Sequence, residues 1–247
     1  MKLGALDVND VKLGGLSVET IMLGEALVWA AGTEPPGGAP IPEAYATTRY
    51  NSNTTTHSVA LPSGVSEGDV LLIFTRAGSN NPTSFTPPSG WDEIAERTDN
   101  GSSAVFARTA DGLEGASVDI VFSSGRRGSH VAVRVSGGSG AVAAAVAASN
   151  VNDPPELTHG WGAENVLVFA CVTQSQVDDD DIVGAPSGYS GFTRVRTVDF
   201  ASTSALHCST NVAHRAALAA SENPGPFQVG EADINNPHSY TVAVRPA

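Results

Sequence analysis

The pattern of apolar and polar positions from about residue 45 onward predicts one strand after another. Apolar stretches such as DVLLIF (Asp69–Phe74) and NVLVFA (Asn165–Ala170) alternate with turn sequences such as Pro62-Ser63-Gly64. Short apolar runs bounded by Gly, Pro, Asn and Ser indicate strands. The candidate strands form two series: Ser58–Leu61, Asp69–Arg76, Glu93–Thr98, Ala104–Thr109, Ser117–Phe122 and His130–Val135, then Ala141–Ala148, Asn165–Thr173, Thr193–Val198, Ala205–Thr210, Phe227–Ala232 and Ser239–Arg245. The alanine-rich stretch Asn211–Ala220 is predicted as a strand edge or a short helical turn.

The two series of strands resemble each other in sequence. Four pairs of segments match in the same order along the chain: DVLLIF with NVLVFA, PSGW with PSGY, SSAVFART with TSALHCST, and VAVR with a second VAVR. We therefore predict an all-β fold, a β-sandwich (jelly-roll-like) built from two similar halves at about 45–137 and 138–247. Two small β domains in tandem are the alternative.

Three ten-residue units open the chain: KLGALDVNDV, KLGGLSVETI and MLGEALVWAA. Each begins at or next to a Leu-Gly pair and continues with alternating apolar residues, which predicts short strands with turns at the glycines. Strands this short do not bury their apolar faces alone. We predict that 1–31 is an N-terminal β-repeat for virion attachment or oligomerisation, with these candidate assembly residues: Leu3, Leu13, Leu23, Val28 and Trp29. A sheet that covers the main domain of the same chain is the alternative.

Residues 32–44, GTEPPGGAPIPEA, are predicted to be a linker. Their prolines and glycines favour an extended, semi-rigid spacer. The chain thus divides into a short head at 1–31, a spacer at 32–44 and a large β-sandwich body at 45–247. This layout is typical of an anchored appendage.

The charge of the chain argues against several kinds of partner. Thirteen Lys+Arg against 26 Asp+Glu give a formal net charge of −13 at pH 7. This charge repels phosphate backbones and anionic membranes, so we expect no nucleic-acid partner. The apolar runs are too short to cross a bilayer, so we expect no membrane insertion. The opening residues lack the pattern of a secretory signal, which predicts synthesis in the host cytoplasm, and Cys171 and Cys208 are predicted to be buried thiols.

No group of residues forms a recognisable catalytic set, and we expect no enzyme activity. The six histidines do not occur in a zinc motif. Gly188-Tyr189-Ser190-Gly191 resembles a nucleophile elbow, but its spacing is wrong. The run Asp178-Asp179-Asp180-Asp181 is a weak calcium candidate, since adjacent carboxylates more often mark an exposed loop. We otherwise expect no metal and no cofactor.

Aromatic residues near polar loops are the candidates for ligand binding. Trp91 and Tyr189 follow the repeated Pro-Ser-Gly sequence, and Phe85 and Asp92 lie close to the first copy. Exposed aromatic rings stack on the C–H faces of sugars, so these four residues form a candidate glycan-binding set. The alternative is that Trp91 and Tyr189 pack inward as turn anchors of the sandwich.

Several segments resemble proteins of bacteriophage particles. IMLGEALVWA (Ile21–Ala30) resembles an N-terminal signature of phage virion proteins, especially minor tail and fibre proteins. LPSGVSEGDVLLIF (Leu61–Phe74), PPSGW (Pro87–Trp91) and ARTADGLEGASV (Ala107–Val118) are similar to β-sandwich domains of phage tail and gene-transfer-agent proteins. The threefold Leu-Gly repeat is a departure from the one or two copies of that family.

The resemblance implies that the N-terminal part attaches to the virion and that the β domain faces the host. We therefore expect a structural virion protein, a tail fibre or receptor-binding appendage located on the virion. Its expected partners are further copies of itself in a homo-oligomer, with a trimer expected, other virion proteins, and host surface polysaccharide. The rival hypotheses are a capsid decoration or head-fibre protein, a carbohydrate-binding module without a virion role, and a polysaccharide depolymerase.

Overall fold

The computed structural model describes strand residues between 12 and 30, and the ranges 38–147, 151–175, 182–197, 207–230 and 235–247. Contacts divide the chain into two compact units, Met1–Gly38 and Ala39–Ala247. In the described ranges every regular element is a β-strand, so the prediction of an all-β protein is confirmed. Across these same residues, no helix is long and apolar enough to cross a membrane.

The first unit contains two small antiparallel ladders. Strand β1 (Lys12–Leu13) pairs with β2 (Leu16–Ser17), and β3 (Thr20–Leu23) pairs with β4 (Ala26–Ala30). In both ladders two residues separate the strands, and a glycine of a Leu-Gly pair is the first of the two.

Residues 41–136 form the first sheet of the second unit. Its strands are β5 (Ile41–Ala60), β6 (Val70–Gly78), β7 (Phe85–Thr86), β8 (Asp92–Arg97), β9 (Ser102–Thr109) and β10 (Ser117–Ser136). The order across this antiparallel sheet is β5-β10-β6-β9-β8, and the short β7 pairs with β10.

Residues 138–246 form the second sheet and two small ladders. The strands are β11 (Gly138–Val146), β12 (Leu157–Thr158), β13 (Glu164–Ser175), β14 (Ile182–Gly184), β15 (Ser190–Arg196), β16 (Cys208–Ala219), β17 (Ser221–Glu222), β18 (Gln228–Val229) and β19 (His238–Pro246). The sheet has the order β11-β19-β13-β16-β15. Taken in chain order, its five strands occupy the same positions as β5, β6, β8, β9 and β10 in the first sheet.

The two sheets pack face to face around one core. Alternate residues of β6 (Val70, Leu72 and Phe74) meet residues of β13, among them Phe169, and the rings of Phe74 and Phe169 lie 6.0 Å apart. The contacts between strands pair β5 with β15 and β8 with β11, so the two sheets are stacked in reverse order. Two antiparallel sheets with a shared apolar interior are a β-sandwich.

The outer faces of both sheets are also covered. Leu71 and Ile73 of β6 point away from the shared core and pack with Phe106 and Trp91 in a second apolar cluster. This explains why β6 reads as an uninterrupted apolar run, since a strand buried on both faces has no solvent side. The remaining outer clusters cover β13 and its neighbours on the second sheet.

The long strands β5 and β10 bend back over the outer face of the first sheet. Their register shifts between Val121 and Arg126 and again between Arg126 and Gly128. Such irregularities bend a strand and increase its local twist. On the far side of the bend, Ile120 and Phe122 of β10 join the outer apolar cluster. One part of the β5–β10 ribbon thus belongs to the first sheet, and the other part covers the outer face of that sheet.

Several sequence-based element assignments are corrected by these strands. β5 begins at Ile41, inside the segment predicted to be a linker, and Pro42 pairs with Val135. An edge strand tolerates proline, because one side of the strand has no partner that needs its N–H. The predicted strands Ser117–Phe122 and His130–Val135 are parts of one strand, β10. Asn211–Ala220 is neither helical nor an edge, because β16 lies between β13 and β15.

The jelly-roll part of the fold prediction is not confirmed. Each large sheet is built from one continuous half of the second unit, and the chain passes to the other sheet at Gly137. The equal strand order of the two sheets is an observation about topology. The duplication suggested by the sequence pairs stays a prediction.

Candidate functional site

Two of the predicted glycan-binding aromatics are buried. Trp91 is 6% exposed and Phe85 is 8% exposed, and both pack in the outer apolar cluster of the first sheet. Phe85 meets Phe106 and Phe122 edge to face, with ring centroids 6.3 and 5.0 Å apart. A sugar stacks on an exposed ring face, so these two residues provide no such platform here. Asp92, the third candidate, is exposed at the start of β8.

The fourth candidate, Tyr189, occupies a turn equivalent to that of Trp91. Each aromatic amide donates to the carbonyl oxygen of the proline three residues earlier, at 3.0 Å for Trp91 and 3.1 Å for Tyr189. Gly90 and Gly188 have φ of 78° and 79°, which fits the third position of a type II turn. The Tyr189 hydroxyl donates to Glu222 at 3.1 Å, and the Arg215 guanidinium lies 5.3 Å from its ring centre. These contacts match the turn-anchor alternative.

The remaining predicted residues belong to the head or to segments outside the described residues. Leu13 and Leu23 end β1 and β3, and Val28 and Trp29 lie on β4, where Trp29 pairs with Ile21. Leu3 lies outside the described residues, as does the acidic run, whose members are Asp178, Asp179, Asp180 and Asp181. Among the residues that are described, no three His, Cys, Asp or Glu side chains converge as metal ligands. Cys171 and Cys208 are free and buried, as predicted.

The chain enters the sandwich at one end, and a group of loops lies at the other. Ile41 pairs with Ser136 next to the start of β6, whereas β6 ends at Gly78 beside the start of β9. The second sheet contributes the end of β13 and the start of β19 to this far end, where Ser175 Oγ donates to Asn80 Oδ1 at 2.8 Å. We call residues 79–81, 99–101 and 235–237 the loop end.

A buried arginine holds the loop end together. Arg76 has no exposed surface. Its Nη1 donates to His238 Nδ1 at 2.6 Å, and its Nη2 donates to the carbonyl oxygens of Asn100 at 3.1 Å and Asn236 at 3.2 Å. Nη2 also lies 3.3 Å from Ser175 Oγ. One guanidinium thus joins loops from both sheets, and hydrogen bonds from a charged donor are stronger than neutral ones.

The two asparagines that accept from Arg76 have left-handed backbones. Their φ values are 51° for Asn100 and 46° for Asn236, and they are the two non-glycine residues with positive φ among the described residues. Asparagine adopts this conformation more readily than most residues. In both loops the residue with this conformation directs its carbonyl group at Arg76. Asparagine at these two positions therefore allows the backbone to accept hydrogen bonds from the buried guanidinium.

Burial controls the charge states around Arg76. Burial lowers the pKa of Arg76 to about 10, which leaves the guanidinium charged at neutral pH. Burial, followed by the charge of Arg76, lowers the pKa of His238 to about 3. His238 is therefore neutral, with its proton on Nε2, which donates to the Asp99 carbonyl oxygen at 2.7 Å. Hydrogen bonding by Arg97 lowers the pKa of the Asp99 carboxyl to about 2.

A second buried polar cluster lies at the bend of the β5–β10 ribbon. The Thr75 hydroxyl lies 2.7 Å from His130 Nδ1, and His130 Nε2 lies 2.8 Å from His57 Nδ1. His57 Nε2 donates to the Arg126 carbonyl oxygen at 3.1 Å. With that donor fixed, each imidazole carries one proton, on Nε2. Burial lowers the pKa of His57 to about 4 and that of His130 well below its usual value.

Ser190, in the segment that resembles a nucleophile elbow, lies near a histidine but lacks the arrangement of a catalytic triad. Its Oγ is 3.4 Å from His214 Nε2, and the Tyr45 hydroxyl is 2.6 Å from His214 Nδ1. A serine nucleophile and its base normally lie within hydrogen-bond distance of each other, about 2.6–3.2 Å. Burial raises the pKa of Tyr45, so its hydroxyl is neutral and does not stabilise an imidazolium as an aspartate does.

The sequence alone did not identify Arg76, its partner His238, or the histidine pair His57 and His130. Arg76 comes directly after the apolar run of β6 and Thr75. A charged residue at the end of a strand that is buried on both faces was the one sign in the sequence that pointed to a buried arginine. The histidines are far apart in sequence, since 73 residues separate His57 from His130. No protein-family model, curated protein or solved structure matches this chain.

Proposed function

We propose that this chain is a structural virion protein, a tail fibre or receptor-binding appendage, and that it works by attachment and binding rather than catalysis. The head would join the chain to copies of itself and to the particle, and the sandwich would face the host. One observation supports this most: the chain forms two compact units, and the first strand of the second unit, β5, begins at the end of the sandwich opposite to the loop end.

The packing and strand pairing of the two units support this division of roles. The sandwich has apolar clusters on the inner and outer faces of its sheets, which is the content of an independently stable domain. The described part of the head consists of two-stranded ladders. Isolated two-stranded hairpins are marginally stable in water, so association with further strands would stabilise the head.

The loop end has the properties of a recognition surface on a rigid support. Binding residues commonly lie on loops that a scaffold holds in position. From the interior of the sandwich, Arg76 donates hydrogen bonds to the backbone carbonyl groups of Asn100 and Asn236. Asn81 lies exposed at the surface of the same end. The arrangement leaves polar groups available for a partner and limits the movement of the loops that carry them.

Localisation on purified particles tests this proposal. A gold-labelled antibody against the sandwich, viewed by electron microscopy, is expected to mark the tail or its fibres. Label on the capsid would replace the proposal with a head-fibre or decoration protein. Particles that carry no label, in a preparation where mass spectrometry does not detect the chain, would contradict a virion role altogether.

A further inference from the structure

Two histidines join the two parts of the β5–β10 ribbon. We call residues 56–60 and 117–122 the cover, since they lie over the outer face of the first sheet. His57 belongs to the cover, whereas His130 belongs to the sheet, where it pairs with Thr75 of β6. The hydrogen bond of 2.8 Å between His57 Nδ1 and His130 Nε2 therefore connects the cover to the sheet.

The hydrogen bonds through this pair form a chain with one proton between each two neighbours. The Thr75 hydroxyl donates to His130 Nδ1 at 2.7 Å, and His130 Nε2 donates to His57 Nδ1. His57 Nε2 donates to the Arg126 carbonyl oxygen at 3.1 Å. Because that carbonyl oxygen only accepts, it sets the direction of every donor in the chain. In this arrangement both imidazoles are neutral and each ring nitrogen has a partner.

An added proton disrupts this chain. An imidazolium has two N–H donors and no acceptor. A proton on His57 Nδ1 faces the N–H of His130 across 2.8 Å, and a proton on His130 Nδ1 displaces the Thr75 hydroxyl as the donor. Either proton also creates a buried charge, which is costly unless a partner of opposite charge is present.

The groups that pack around the pair are uncharged. From β5, the ring of Tyr50 stacks on His57 with centroids 4.1 Å apart, and from β10 the ring of Phe122 lies at the same distance. From β6 comes the Thr75 hydroxyl, and Phe85 of β7 packs edge to face on Phe122. Aromatic rings and a hydroxyl group offer no carboxylate that would pair with an imidazolium.

The charged residues of these strands do not compensate either. Arg126 and Arg127 lie at the bend of β10 and are cations, so their charge opposes a further positive charge. Arg49, Arg76 and Asp119 each lie one residue from a side chain on the face of the pair, so the alternation along a strand directs them to the other face. Within the described ranges, no carboxylate forms a hydrogen bond or a ring contact with either imidazole.

The bend has the features of a hinge. The ladder between β5 and β10 is interrupted between Val121 and Arg126, and its register shifts again before Gly128. Few ladder hydrogen bonds therefore resist a movement of the cover about this point. Gly125, also within the bend, adds backbone freedom because it has no side chain.

An apolar surface lies beneath the cover. Ile120 and Phe122 of the cover pack with Ile73, Phe85 and Phe106 in the outer apolar cluster. The shared core between the two sheets lies on the opposite face of the first sheet. Lifting the cover at the bend would expose the outer cluster and leave the shared core closed.

We propose that His57 and His130 form an acid-sensitive latch, which holds the cover on the sheet at neutral pH and releases it at the bend when the pair takes up protons. Release lets water solvate the imidazolium that the closed cover buries. The released state retains the sandwich and exposes apolar surface that the closed state hides. The latch is a property of the sandwich and does not depend on the proposed function.

Native-state hydrogen exchange of the full chain, read by mass spectrometry at pH 7.5 and 5.0 and at low urea concentrations, tests the latch. After correction for the intrinsic effect of pH on exchange, amides of the cover should exchange about tenfold faster at pH 5.0, because the released pair binds protons more readily than the closed pair. This exchange should be nearly independent of urea, since a local opening exposes little surface. Exchange of β13, in the shared core, should accelerate with urea.

Two variants separate the latch from a general effect of acid. His57→Gln should reduce the acceleration of the cover to about twofold, because one of the two titrating groups is removed. His159→Gln is the control, since it removes a histidine between β12 and β13, and it should keep the acceleration of the wild type.

The latch is overturned if exchange of the cover does not change with pH, or if it responds to urea as steeply as that of β13, which would mean global unfolding. An acceleration in His57→Gln equal to that of the wild type would also overturn it, as would an equal loss of acceleration in His159→Gln.

Discussion

At the residue scale, single buried groups near the end of β6 have the largest expected effects, since Arg76 pairs with Ser129 there and Ala77 pairs with Gly128. Arg76 is fully buried, and its hydrogen-bond partners include two backbone carbonyl oxygens and one imidazole nitrogen. Breaking such a buried set is costly, because the partners stay buried after their donor is removed. The loop end therefore depends on one side chain.

Replacing Arg76 with methionine should destabilise the protein by about 3 kcal/mol, since the acceptors of Asn100, Asn236 and His238 lose a charged donor. Urea unfolding of the full chain measures the change. Arg76→Lys keeps the charge but loses the forked geometry, so its effect should be smaller. A methionine variant within about 0.5 kcal/mol of the wild type would show that the network does not hold the loops.

Gly128 illustrates a different kind of constraint at the ribbon bend. A Cβ on this residue would lie 2.5 Å from His57 Nδ1 and 2.9 Å from His130 Nε2, which is closer than side chains pack. Gly128→Ala should therefore destabilise the protein by about 1–3 kcal/mol through overpacking. Gly115→Ala is the matched control, because the nearest atom to its Cβ would be 3.8 Å away. Equal unfolding midpoints for the two variants would contradict the packing at the bend.

At the scale of elements, the strands buried on both faces had the plainest pattern in the sequence. β6 and β13 read as uninterrupted apolar runs because each lies between the shared core and an outer cluster. β5 was predicted only over its last residues, since it contains Pro42 and many polar residues. A strand at the edge of a sheet needs fewer apolar residues and tolerates proline, so local pattern alone does not define it.

The candidate site followed the same rule. The repeated Pro-Ser-Gly turns were visible in sequence because glycine and the following aromatic residue are local signals. The environment of those aromatics was not visible, because Trp91 is buried by Phe106 and Leu71 from other strands. The contacts of Arg76 were equally hidden, since 162 residues separate it from His238.

The true start of β5 gives a prediction about truncation. A fragment that starts at residue 45 loses Ile41–Ala44, which pair with the end of β10, and it loses Glu43, which accepts from Ser136 Oγ at 2.7 Å. The 39–247 fragment keeps these contacts. We expect the 45–247 fragment to be less stable by about 1–2 kcal/mol, from the lost hydrogen bonds. Equal stability in urea would mean that this end of β5 does not contribute to the sheet.

The histidine pair between β5 and β10 predicts acid sensitivity. Burial lowers the folded-state pKa of His57 to about 4, below its ordinary value near 6.5. Between these pH values the unfolded chain binds more protons than the folded chain, so the free energy of unfolding falls as pH falls from 6.5 to 4. His130 and His238, whose pKa values are also lowered by burial, act in the same direction.

Urea unfolding at pH 7.5, 6.0 and 5.0 measures this dependence. His57→Gln should flatten it, because one of the titrating groups is removed and glutamine does not bind a proton in this range. An unchanged pH dependence in this variant would contradict the neutral, buried state of His57. The acidic group Asp99 titrates at lower pH, since its pKa is lowered to about 2, and does not interfere.

At the scale of the whole molecule, the two units differ in how complete they are. The sandwich buries both faces of its large sheets within its own residues, 39–247. The described strands of the head form ladders of two strands each, with no third strand among the residues that the structure describes. We therefore propose association for the head and recognition for the sandwich.

The most direct test of this account is the absolute mass in solution of the full chain and of the 39–247 fragment, measured side by side by light scattering. We expect an oligomer for the full chain, near three times its mass of 25.2 kDa, and a folded monomer for the fragment. A fragment that stays oligomeric, or a full chain that is monomeric, would contradict the assembly role of the head.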